Sequence, residues 1–297
     1  MKAPAHFPPW LRKSRNPAGA SALTASVLRA GNLSTVCEEA RCPNRAGCWA
    51  SGTATFLVLG RRCTRQCRFC AVEGGSPGSP DPTEPVRLAA AAAAMRLAHV
   101  VVTMVTRDDL PDGGAAHVAA CVRAVRESLP DAGIEALVSD FGGDTGALMA
   151  VLESGPDVLA HNLETVERLS PVMRPKASYA RSLGMLRYAA SAGAAVPKSG
   201  LMAGLGEEPA ELDRSMADLA VAGVRLLTVG QYLSPAPGRA PVARFLEPDE
   251  FAAIAERARL LGFAHVTASP FTRSSLGARE AFEAAAGGRR KDTVASS

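Results

Sequence analysis

Six of the seven cysteines in this chain of 297 residues lie within one short stretch, in two groups of three. The first group has the spacing C-x4-C-x5-C and consists of Cys37, Cys42 and Cys48. The second group has the spacing C-x3-C-x2-C and consists of Cys63, Cys67 and Cys70. Three thiolates bind three irons of a [4Fe–4S] cluster and leave the fourth iron open. The two groups therefore predict two iron–sulfur clusters whose open positions favour chemistry over electron storage.

A structural zinc site is the alternative for each group, with a fourth ligand supplied from elsewhere in the chain. The second group contains only one C-x2-C pair, whereas zinc sites usually combine two, so we favour a cluster there. The first group taken alone is compatible with either a cluster or zinc. The remaining cysteine, Cys121, lies in a helical pattern and is predicted to be a small buried core residue.

Composition excludes several classes of protein. The hydrophobic fraction of 47% and the charged fraction of 21% are those of a soluble globular protein. No apolar run is long enough to span a bilayer, and the first residues lack the apolar core of a signal peptide. We therefore expect a cytoplasmic protein without membrane contact. In that reducing compartment, crowded cysteines serve metal or redox chemistry rather than disulfides.

The formal net charge of +4 is concentrated at the start of the chain. No acidic residue precedes Glu38, and the basic residues of this arm are Lys2, Arg12, Lys13, Arg15 and Arg29. One interpretation is a solvated basic arm; the other is a docking arm for an acidic protein partner. No aromatic or RNA-binding pattern accompanies the arm, so we expect no nucleic acid.

Beyond the first cysteine group, short apolar runs alternate with helical patterns. We predict strands at Thr53–Leu59, His99–Thr103, Ile134–Val138, Asp157–Ala160, Val196–Met202, Leu226–Gly230 and His265–Ala268. We predict helices at Glu84–Ala98, Ala115–Ser128, Asp144–Ser154, Tyr179–Ala192, Pro209–Ala222, Pro248–Leu261 and Leu276–Ala286. Strands that alternate with helices pair in parallel, so we predict an α/β fold, a partial (β/α)6 barrel of the TIM type. A doubly wound sheet is the alternative, but no glycine-rich nucleotide fingerprint follows the first strand.

The barrel divides the chain into three predicted parts. Residues 1–52 form the basic arm and the first cysteine group, residues 53–270 the barrel, and residues 271–297 a C-terminal extension. The extension contains the last helix and a polar tail from Gly287 that we expect to be disordered. Barrel enzymes carry their site in the loops that follow the strands. The unusual polar segments occupy those loops, so we expect them to converge on one rim: RRCTRQCRFC, MVTRDDLPDGG, SDFGGD, HNLE, GLGE and QYLSPAPG.

Five further residues are candidates for contacts at this rim. Gly113 and Gly114 follow the second strand and would let a ligand approach the backbone closely, although a plain turn is the alternative. Asn162 ends the fourth strand and is a candidate hydrogen-bonding group for cofactor or substrate. Arg174 and Lys198 are predicted rim cations that would offset carboxylate or cluster charge, or else be solvated.

The second cysteine group, with the aromatic Phe69 directly before Cys70, resembles the radical S-adenosylmethionine (SAM) superfamily. The resemblance implies a [4Fe–4S] cluster whose open iron chelates the amino and carboxylate groups of SAM. It also implies that an electron cleaves the sulfonium bond to yield a 5′-deoxyadenosyl radical. That superfamily often binds the methionine part of SAM with a glycine-rich segment, here at Gly113 and Gly114.

Both cysteine groups together resemble the lipoyl synthase family, over about residues 32 to 278. The matching segments are TVCEEARCPN, GTATFLVLG, CTRQCRFC, EPVRLA, TRDDLPDGGA, HNLETV, VMRPKASY, KSGLMAGLGE, LTVGQYL and PFTRSS. The resemblance implies a sulfurtransferase that inserts two sulfur atoms at C6 and C8 of an octanoyl chain. The implied substrate is the octanoylated lysine of a lipoyl carrier domain or of the glycine cleavage H protein. The first cysteine group would then hold an auxiliary [4Fe–4S] cluster that donates the sulfur.

The same resemblance implies a fourth ligand of the auxiliary cluster. Ser275, in the segment Arg273-Ser274-Ser275-Leu276, matches the serine that fills this role in the family. From the residue pattern alone, Ser275 would instead cap the last helix. The family further implies a low-potential electron donor, a flavodoxin or ferredoxin, and iron–sulfur assembly factors as partners.

The chain departs from the family pattern at four places that bear on substrate positioning. Leu276 replaces a tyrosine, Thr106 an acidic residue, the pair 142–143 an arginine-bearing segment, and the pair 238–239 a common histidine. Another two-cluster radical SAM sulfur-transfer enzyme, such as a methylthiotransferase-like protein, is one alternative, although no RNA-binding domain is visible. A zinc-stabilised binding module is the alternative from a different class.

Overall fold

The computed structural model describes residues 7–11, 21–50 and 54–285. The predictions for the basic residues at positions 2, 12, 13 and 15 and for the tail from Gly287 lie outside these ranges. Arg29, the remaining basic residue of the arm, lies in the last turn of a helix.

Ten strands occur within the described ranges. They are β1 (Ser34–Thr35), β2 (Thr55–Val58), β3 (Arg62–Cys63), β4 (Glu73–Gly74), β5 (His99–Met104), β6 (Gly133–Leu137), β7 (Val158–Ala160), β8 (Val196–Ala203), β9 (Leu226–Gln231) and β10 (His265–Ser269). Eight of them form one sheet in the order β1-β2-β5-β6-β7-β8-β9-β10. β1 is antiparallel to β2, and all other pairings in this sheet are parallel. β3 and β4 form a separate parallel pair.

Helices connect the strands and precede the sheet. They are α1 (Ser21–Ala30), α2 (Val36–Glu39), α3 (Arg45–Ala50), α4 (Glu84–Ala94), α5 (Ala115–Ser128), α6 (Thr145–Leu152), α7 (Ser170–Met173), α8 (Tyr179–Ala192), α9 (Pro209–Val221) and α10 (Pro248–Leu260). Residues 278–285 are also helical. Within the described residues, no helix has both the length and the apolar character needed to cross a membrane.

The strand order confirms the predicted partial barrel. From β5 to β10, each strand of the sheet pairs with the next one along the chain. A doubly wound sheet reverses direction at a switch point, so that alternative is wrong. Within the described residues, β10 pairs only with β9 and the order ends at β1 and β10, so the barrel is open on one side.

Local signals set the helix boundaries close to their predicted places. The Asp144 carboxylate caps α6 by accepting hydrogen bonds from the amides of Gly146 and Ala147. Ser178 caps α8, whose bounds agree with the prediction. Gly262, with φ of 89°, follows α10 in the left-handed conformation that favours glycine.

The N-terminal helices were not predicted, and tertiary contacts explain why they form. Leu28 of α1 is buried against the same apolar cluster as Trp49 of α3. Thr24 donates a hydrogen bond from its hydroxyl to the Trp49 carbonyl across 3.2 Å. These contacts join α1 to the segment that carries the first cysteine group, which local residue patterns do not reveal.

The C-terminal helical residues close the end of the barrel at which the strands begin. Val158, Val196 and Leu226, at or near the start of their strands, form an apolar cluster with Ala281 and Ala285. The helical residues 278–285 therefore cover the amino ends of these strands. This placement leaves the carboxyl ends of the strands as the accessible end of the barrel.

Lys198 does not lie at the rim, and that prediction is wrong. Its side chain is 1% exposed, and its Nζ lies 2.9 and 2.7 Å from the two carboxylate oxygens of Glu135, which is itself fully buried. Burial raises the pKa of the Glu135 carboxyl, and the charge of Lys198 opposes this rise. Lys198 and Glu135 thus form a buried ion pair between β6 and β8, away from solvent.

Candidate active site

A cavity of about 570 Å³ opens inside the sheet. Its walls include side chains or backbone from five strands, namely Leu57, Thr103, Leu137, Gly200 and Thr228. Loops after several strands, the N-terminal segment at 36–43 and the turn at 272–275 add to the lining. The predicted convergence of the polar loops on one rim is confirmed for the segments after β2, β5, β6, β7 and β9, which all reach this cavity.

The second cysteine group lies on the cavity wall. Cys63, Cys67 and Cys70 all line the cavity and are half-buried. Burial raises the pKa of Cys67 to about 12, and the nearby charge of Arg174 opposes this rise. Burial likewise raises the pKa of Cys70. A bound metal would therefore displace protons from these thiols.

An ion-pair network anchors the loop that carries this group. Arg65 is buried and contacts both carboxylate oxygens of Asp108, with Nη2 2.7 Å from Oδ1 and Nε 3.0 Å from Oδ2. Its Nη2 also lies 2.6 Å from Oδ1 of the fully buried Asp140. Burial alone would raise the pKa of the Asp140 carboxyl, but the hydrogen bonds and charge of Arg65 hold it below its usual range. The network ties the cysteine loop to the ends of β5 and β6.

The first cysteine group reaches the same cavity from the N-terminal segment. Cys37 on α2 is buried and Cys42 is half-buried, and both line the cavity. Cys48 on α3 is half-buried and is not among the lining residues. Burial raises the pKa of Cys37, whereas a hydrogen bond from the backbone N–H of Thr55 opposes this rise.

Ser275 lies in the turn after β10 and lines the cavity together with Cys37 and Cys42. The Thr55 hydroxyl donates a hydrogen bond to Ser275 Oγ across 2.9 Å. The last helical segment starts at residue 278, and the Ala281 amide bonds to the Gly277 carbonyl. Ser275 therefore does not cap that helix, and this alternative is wrong.

Two contacts hold the turn that carries Ser275. Asn44, between Cys42 and Cys48, is buried and donates from Nδ2 to the Phe271 carbonyl across 2.7 Å. At the end of β9, a Cβ on Gly230 would lie 2.1 Å from the Thr272 carbonyl oxygen, so only glycine permits this approach. The C-terminal turn is thus fitted between the N-terminal segment and the sheet.

Asn162 provides an acceptor that lacks a protein partner. It lines the cavity, and its Nδ2 donates to Glu164 Oε1 across 3.2 Å. Its Oδ1 is buried and has no hydrogen-bond partner in the described part of the chain. Glu164 also lines the cavity, with a strained φ of 70°, and burial raises the pKa of its carboxyl. A buried, unpaired acceptor beside a strained residue is typical of a ligand-binding position.

Arg174 lines the cavity as a buried residue rather than as an exposed rim cation. Its Nη1 donates to the Leu163 carbonyl and to Ser182 Oγ, across 3.1 and 3.2 Å. Ser182 in turn lies 2.9 Å from His161 Nε2, and His161 Nδ1 lies 2.9 Å from the Val138 carbonyl. Burial lowers the pKa of His161 to about 4, so Nδ1 carries the proton and Nε2 accepts from Ser182. This series of hydrogen bonds fixes the Arg174 guanidinium beside Cys67.

Gly113 and Gly114 lie outside the cavity lining, and packing accounts for both. They have φ values of 62° and 90°. A Cβ on Gly114 would lie 2.5 Å from Leu59 Cδ1, and one on Gly113 would lie 3.0 Å from Phe141 Cδ1. A direct contact of these two glycines with SAM stays a prediction.

Cationic side chains lie at or next to two of the four positions where the sequence departs from the family pattern. Arg181 of α8 packs beside Gly143 and pairs with Asp140 across 3.3 Å. Burial raises the pKa of Cys70, and the charge of the nearby Arg239 opposes this rise. The Thr106 carbonyl accepts hydrogen bonds from the amide and the hydroxyl of Thr64, so it helps to hold the cysteine loop.

The donor set of the cavity fits iron–sulfur clusters. Soft thiolate ligands select such clusters, and five of the six grouped cysteines line one cavity. Residues 7–11, 21–50 and 54–285 contain no three His, Cys, Asp or Glu side chains gathered around a single ion position. Each thiolate of a cluster binds a different iron, so cluster ligands need not meet at one point.

This fold and this cysteine loop define a class of enzyme, the radical SAM superfamily, whose sequence model matches residues 57–219. Methylornithine synthase shares the fold, with a TM-score of 0.53 at 15% identity over 86% of this chain and 79% of that one. A Streptococcus suis SuiB structure bound to S-adenosylmethionine has a TM-score of 0.54 at 10% identity, over 68% of this chain and 46% of that one.

Relatives with much higher sequence identity narrow the assignment from this superfamily to one family. A lipoyl synthase of Halorhodospira halophila is 49% identical over 93% of this chain and 84% of its own length. A lipoyl synthase of Trichlorobacter lovleyi is 50% identical over 90% of this chain and 95% of its own length. The chain belongs to the lipoyl synthase family. It is therefore an enzyme, a radical SAM sulfurtransferase whose cofactors are S-adenosylmethionine and [4Fe–4S] clusters, and the zinc-module alternative is wrong.

Proposed function

We propose that the two cysteine groups divide the reaction between two clusters in one cavity. Cys63, Cys67 and Cys70 would hold the cluster that binds SAM. A sulfur-donating auxiliary cluster would be held by Cys37, Cys42, Cys48 and Ser275. The observation that carries this proposal is the shared cavity, whose lining includes thiols of both groups together with Ser275.

The proposed reaction inserts sulfur at C6 and C8 of a protein-bound octanoyl chain. When bound, the cofactors supply hydrogen abstraction from unactivated C–H bonds, which no side chain can perform. The protein contributes binding and orientation. Apolar side chains from the strands and their loops suit an eight-carbon chain and keep water away from it: Leu57, Met104, Leu137, Leu201 and Met202.

The fixed charges of the site support the assignment of the SAM cluster. Arg174 is held beside Cys67 and would offset the negative charge of a thiolate-bound cluster. Arg65 would keep the cysteine loop in place against the ends of the strands. The unpaired Oδ1 of Asn162 supports its role as an acceptor for a donor group of cofactor or substrate.

The chemistry of Ser275 supports its role at the auxiliary cluster. A serine oxygen is a harder ligand than a thiolate and a poorer match for a soft cluster. A weak fourth ligand suits a cluster that gives up its sulfur during the reaction. Arg273, in the same turn, interacts electrostatically with Cys42 and would balance its charge.

The proposed partners follow from this chemistry. The substrate would be the octanoylated lysine of a lipoyl carrier domain or of the glycine cleavage H protein. A flavodoxin or ferredoxin would supply electrons, and iron–sulfur assembly factors would rebuild the consumed cluster. We place the enzyme in the cytoplasm, where thiols stay reduced. In the proposed division, residues 1–52 and 271–297 flank the barrel of residues 53–270 and jointly complete the auxiliary site.

Anaerobic reconstitution with iron and sulfide tests the proposal directly. Two [4Fe–4S] clusters correspond to about eight irons per chain. Mass spectrometry of an octanoylated carrier domain after incubation with SAM and dithionite should detect two added sulfur atoms. Cys67→Ala should abolish SAM cleavage, whereas Cys42→Ala should keep cleavage and lose sulfur insertion.

Cys121→Ala is the matched control, because Cys121 is fully buried in the apolar core away from the cavity. It should keep both activities. Sulfur insertion by Cys42→Ala would overturn the donor role of the first cysteine group. Loss of SAM cleavage in Cys42→Ala would overturn the division of labour between the two groups.

A further inference from the structure

Four cationic side chains lie in segments that line one end of the cavity, which we call its mouth. These segments are the auxiliary segment at 40–43, the cysteine loop at 65–72, the loop at 174–177 and the loop that begins at 233. Each segment carries one cationic side chain that is not buried, and the cysteine loop and the loop at 174–177 also hold the buried Arg65 and Arg174. We call the four residues the cationic collar: Arg41, Arg68, Lys176 and Arg239.

Hydrogen bonds between the segments hold the collar together. The Arg68 amide donates to the Met173 carbonyl across 2.9 Å, and the Arg68 carbonyl accepts from the Ala240 amide across 2.8 Å. The Lys176 ammonium donates to the Thr64 carbonyl across 3.2 Å. On the auxiliary side, Arg41 donates from Nη1 to the Pro235 carbonyl across 3.4 Å. The backbone contacts around the mouth therefore bring charges from distant parts of the chain together.

The collar is not neutralised by the protein itself. Arg41, Arg68 and Lys176 are exposed and Arg239 is half-buried. In contrast, neighbouring arginines have carboxylate partners: Arg61 pairs with Glu39, Arg62 with Glu73 and Arg65 with Asp108. No ion pair involves a collar residue within the described ranges. Uncompensated charges of one sign around a cleft concentrate the field there and attract opposite charge.

We propose that the cationic collar docks an acidic face of the carrier protein, so that its octanoyl-lysine enters the cavity through the mouth. This inference rests on the proposed carrier substrate. An acyl chain attached to a folded domain can reach the cavity only if the domain surface around the lysine meets the mouth. That surface would contact the cationic collar, and carboxylates on the carrier would complement the positive charge of the collar.

Steady-state kinetics with the reconstituted full-length enzyme test the proposal. The two substrates are an octanoylated carrier domain and a short, uncharged octanoyl-lysine peptide, with dithionite as the electron source. The double variant Arg68→Glu, Lys176→Glu should raise KM for the carrier domain roughly tenfold or more at low salt. KM for the peptide should change by less than about twofold, because the peptide has no charged face.

Salt provides an independent readout. For the parent enzyme, KM for the carrier domain should rise with sodium chloride, because exposed charges are screened over about 10 Å at 0.1 M. The collar variant should lose most of this salt dependence. The matched control is Arg123→Glu, Arg187→Glu, which reverses two exposed charges on α5 and α8 and should keep the parental behaviour.

The outcomes separate this inference from the proposed function. An unchanged KM for the carrier domain in the collar variant would overturn the docking role. An equal rise for carrier domain and peptide would also overturn it, because the collar would then act on the cavity. If a protein electron donor supports less turnover in the variant while the dithionite assay is unchanged, the collar docks the donor instead. If the parent enzyme thiolates neither substrate, the proposed function itself fails.

Discussion

Thr55 and Ser275 are joined by a hydrogen bond of 2.9 Å between their hydroxyl groups, across 220 residues of sequence. The backbone of Thr55 also opposes the rise that burial causes in the pKa of Cys37. A single residue at the start of β2 thus acts on two of the four proposed ligands of the auxiliary cluster. On that proposal, Thr55 would be a positioning residue for the cluster rather than a ligand.

Removal of the Thr55 hydroxyl should destabilise the auxiliary cluster selectively. Thr55→Val keeps the shape and the backbone N–H but leaves Ser275 free to rotate. We expect faster iron release to a chelator from the auxiliary cluster, by roughly 10-fold, as is typical of lost outer-shell contacts. The measurement uses a Cys63→Ala, Cys67→Ala, Cys70→Ala background that contains only the auxiliary cluster.

Thr55→Ser keeps the hydroxyl and should behave like the parent. Ser275→Ala should release iron at least as fast as Thr55→Val. If Thr55→Val matches the parent while Ser275→Ala is faster, the positioning role of Thr55 is wrong. If Ser275→Ala itself matches the parent, Ser275 is not a ligand.

Gly230 should be intolerant of substitution for a reason specific to the auxiliary site. A Cβ at this position would lie 2.1 Å from the Thr272 carbonyl, so Gly230→Ala must displace the turn that carries Ser275. We expect reduced iron content at the auxiliary site and little change in SAM cleavage. Gly184→Ala on α8 is the control, since a Cβ there meets no atom within 4 Å. Loss of SAM cleavage equal to the loss of auxiliary iron would contradict this explanation.

Removal of only one charge of the buried pair of Lys198 and Glu135 should lower the free energy of unfolding. Lys198→Met leaves the Glu135 carboxyl buried without its partner, which typically costs about 3–5 kcal/mol of unfolding free energy. Lys198→Met combined with Glu135→Leu removes both charges and should recover most of that loss. Anaerobic urea denaturation followed by circular dichroism measures the difference. A double variant no more stable than Lys198→Met would show that the pair is not the source of the loss.

The titration of His161 should make the free energy of unfolding depend on pH between about 6.5 and 4. Its pKa is about 4 in the folded protein, below the ordinary value of 6.5, because burial disfavours the charged ring. Between these values the unfolded chain binds a proton that the folded protein does not, so the unfolding free energy falls as the pH drops from 6.5 towards 4. Above 6.5 this contribution is constant. At pH 5 the loss from His161 alone is about 2 kcal/mol.

The variant His161→Gln isolates this effect from other titrating groups. It cannot take up the proton, so its unfolding free energy should fall by about 2 kcal/mol less than that of the parent between pH 7.5 and 5. Urea denaturation at both pH values provides the comparison. Equal losses in parent and variant would mean that His161 titrates normally in the folded protein.

Residue patterns predicted the parts of this molecule that are local in sequence. The cysteine spacing and the alternation of strands and helices each lie within one short segment, and α5 and α8 have their predicted bounds. Lys198 was misplaced because its partner Glu135 is 63 residues away and both lie on the inner face of the sheet. A polar residue on that face has the same pattern as a residue exposed to solvent. Arg65 was overlooked for the same reason, since Asp140 lies 75 residues further along the chain.

The turn that carries Ser275 has a consequence for biosynthesis. Phe271, which Asn44 binds across 227 residues, and Ser275 itself leave the ribosome long after both cysteine groups. The cysteine loop and the β5 and β6 ends that anchor it through Arg65 emerge much earlier. A nascent chain can therefore complete the cysteine loop well before the turn at Ser275 is available to the first cysteine group. On the proposed assignment of ligands, the auxiliary cluster would therefore be loaded after the cluster of the cysteine loop.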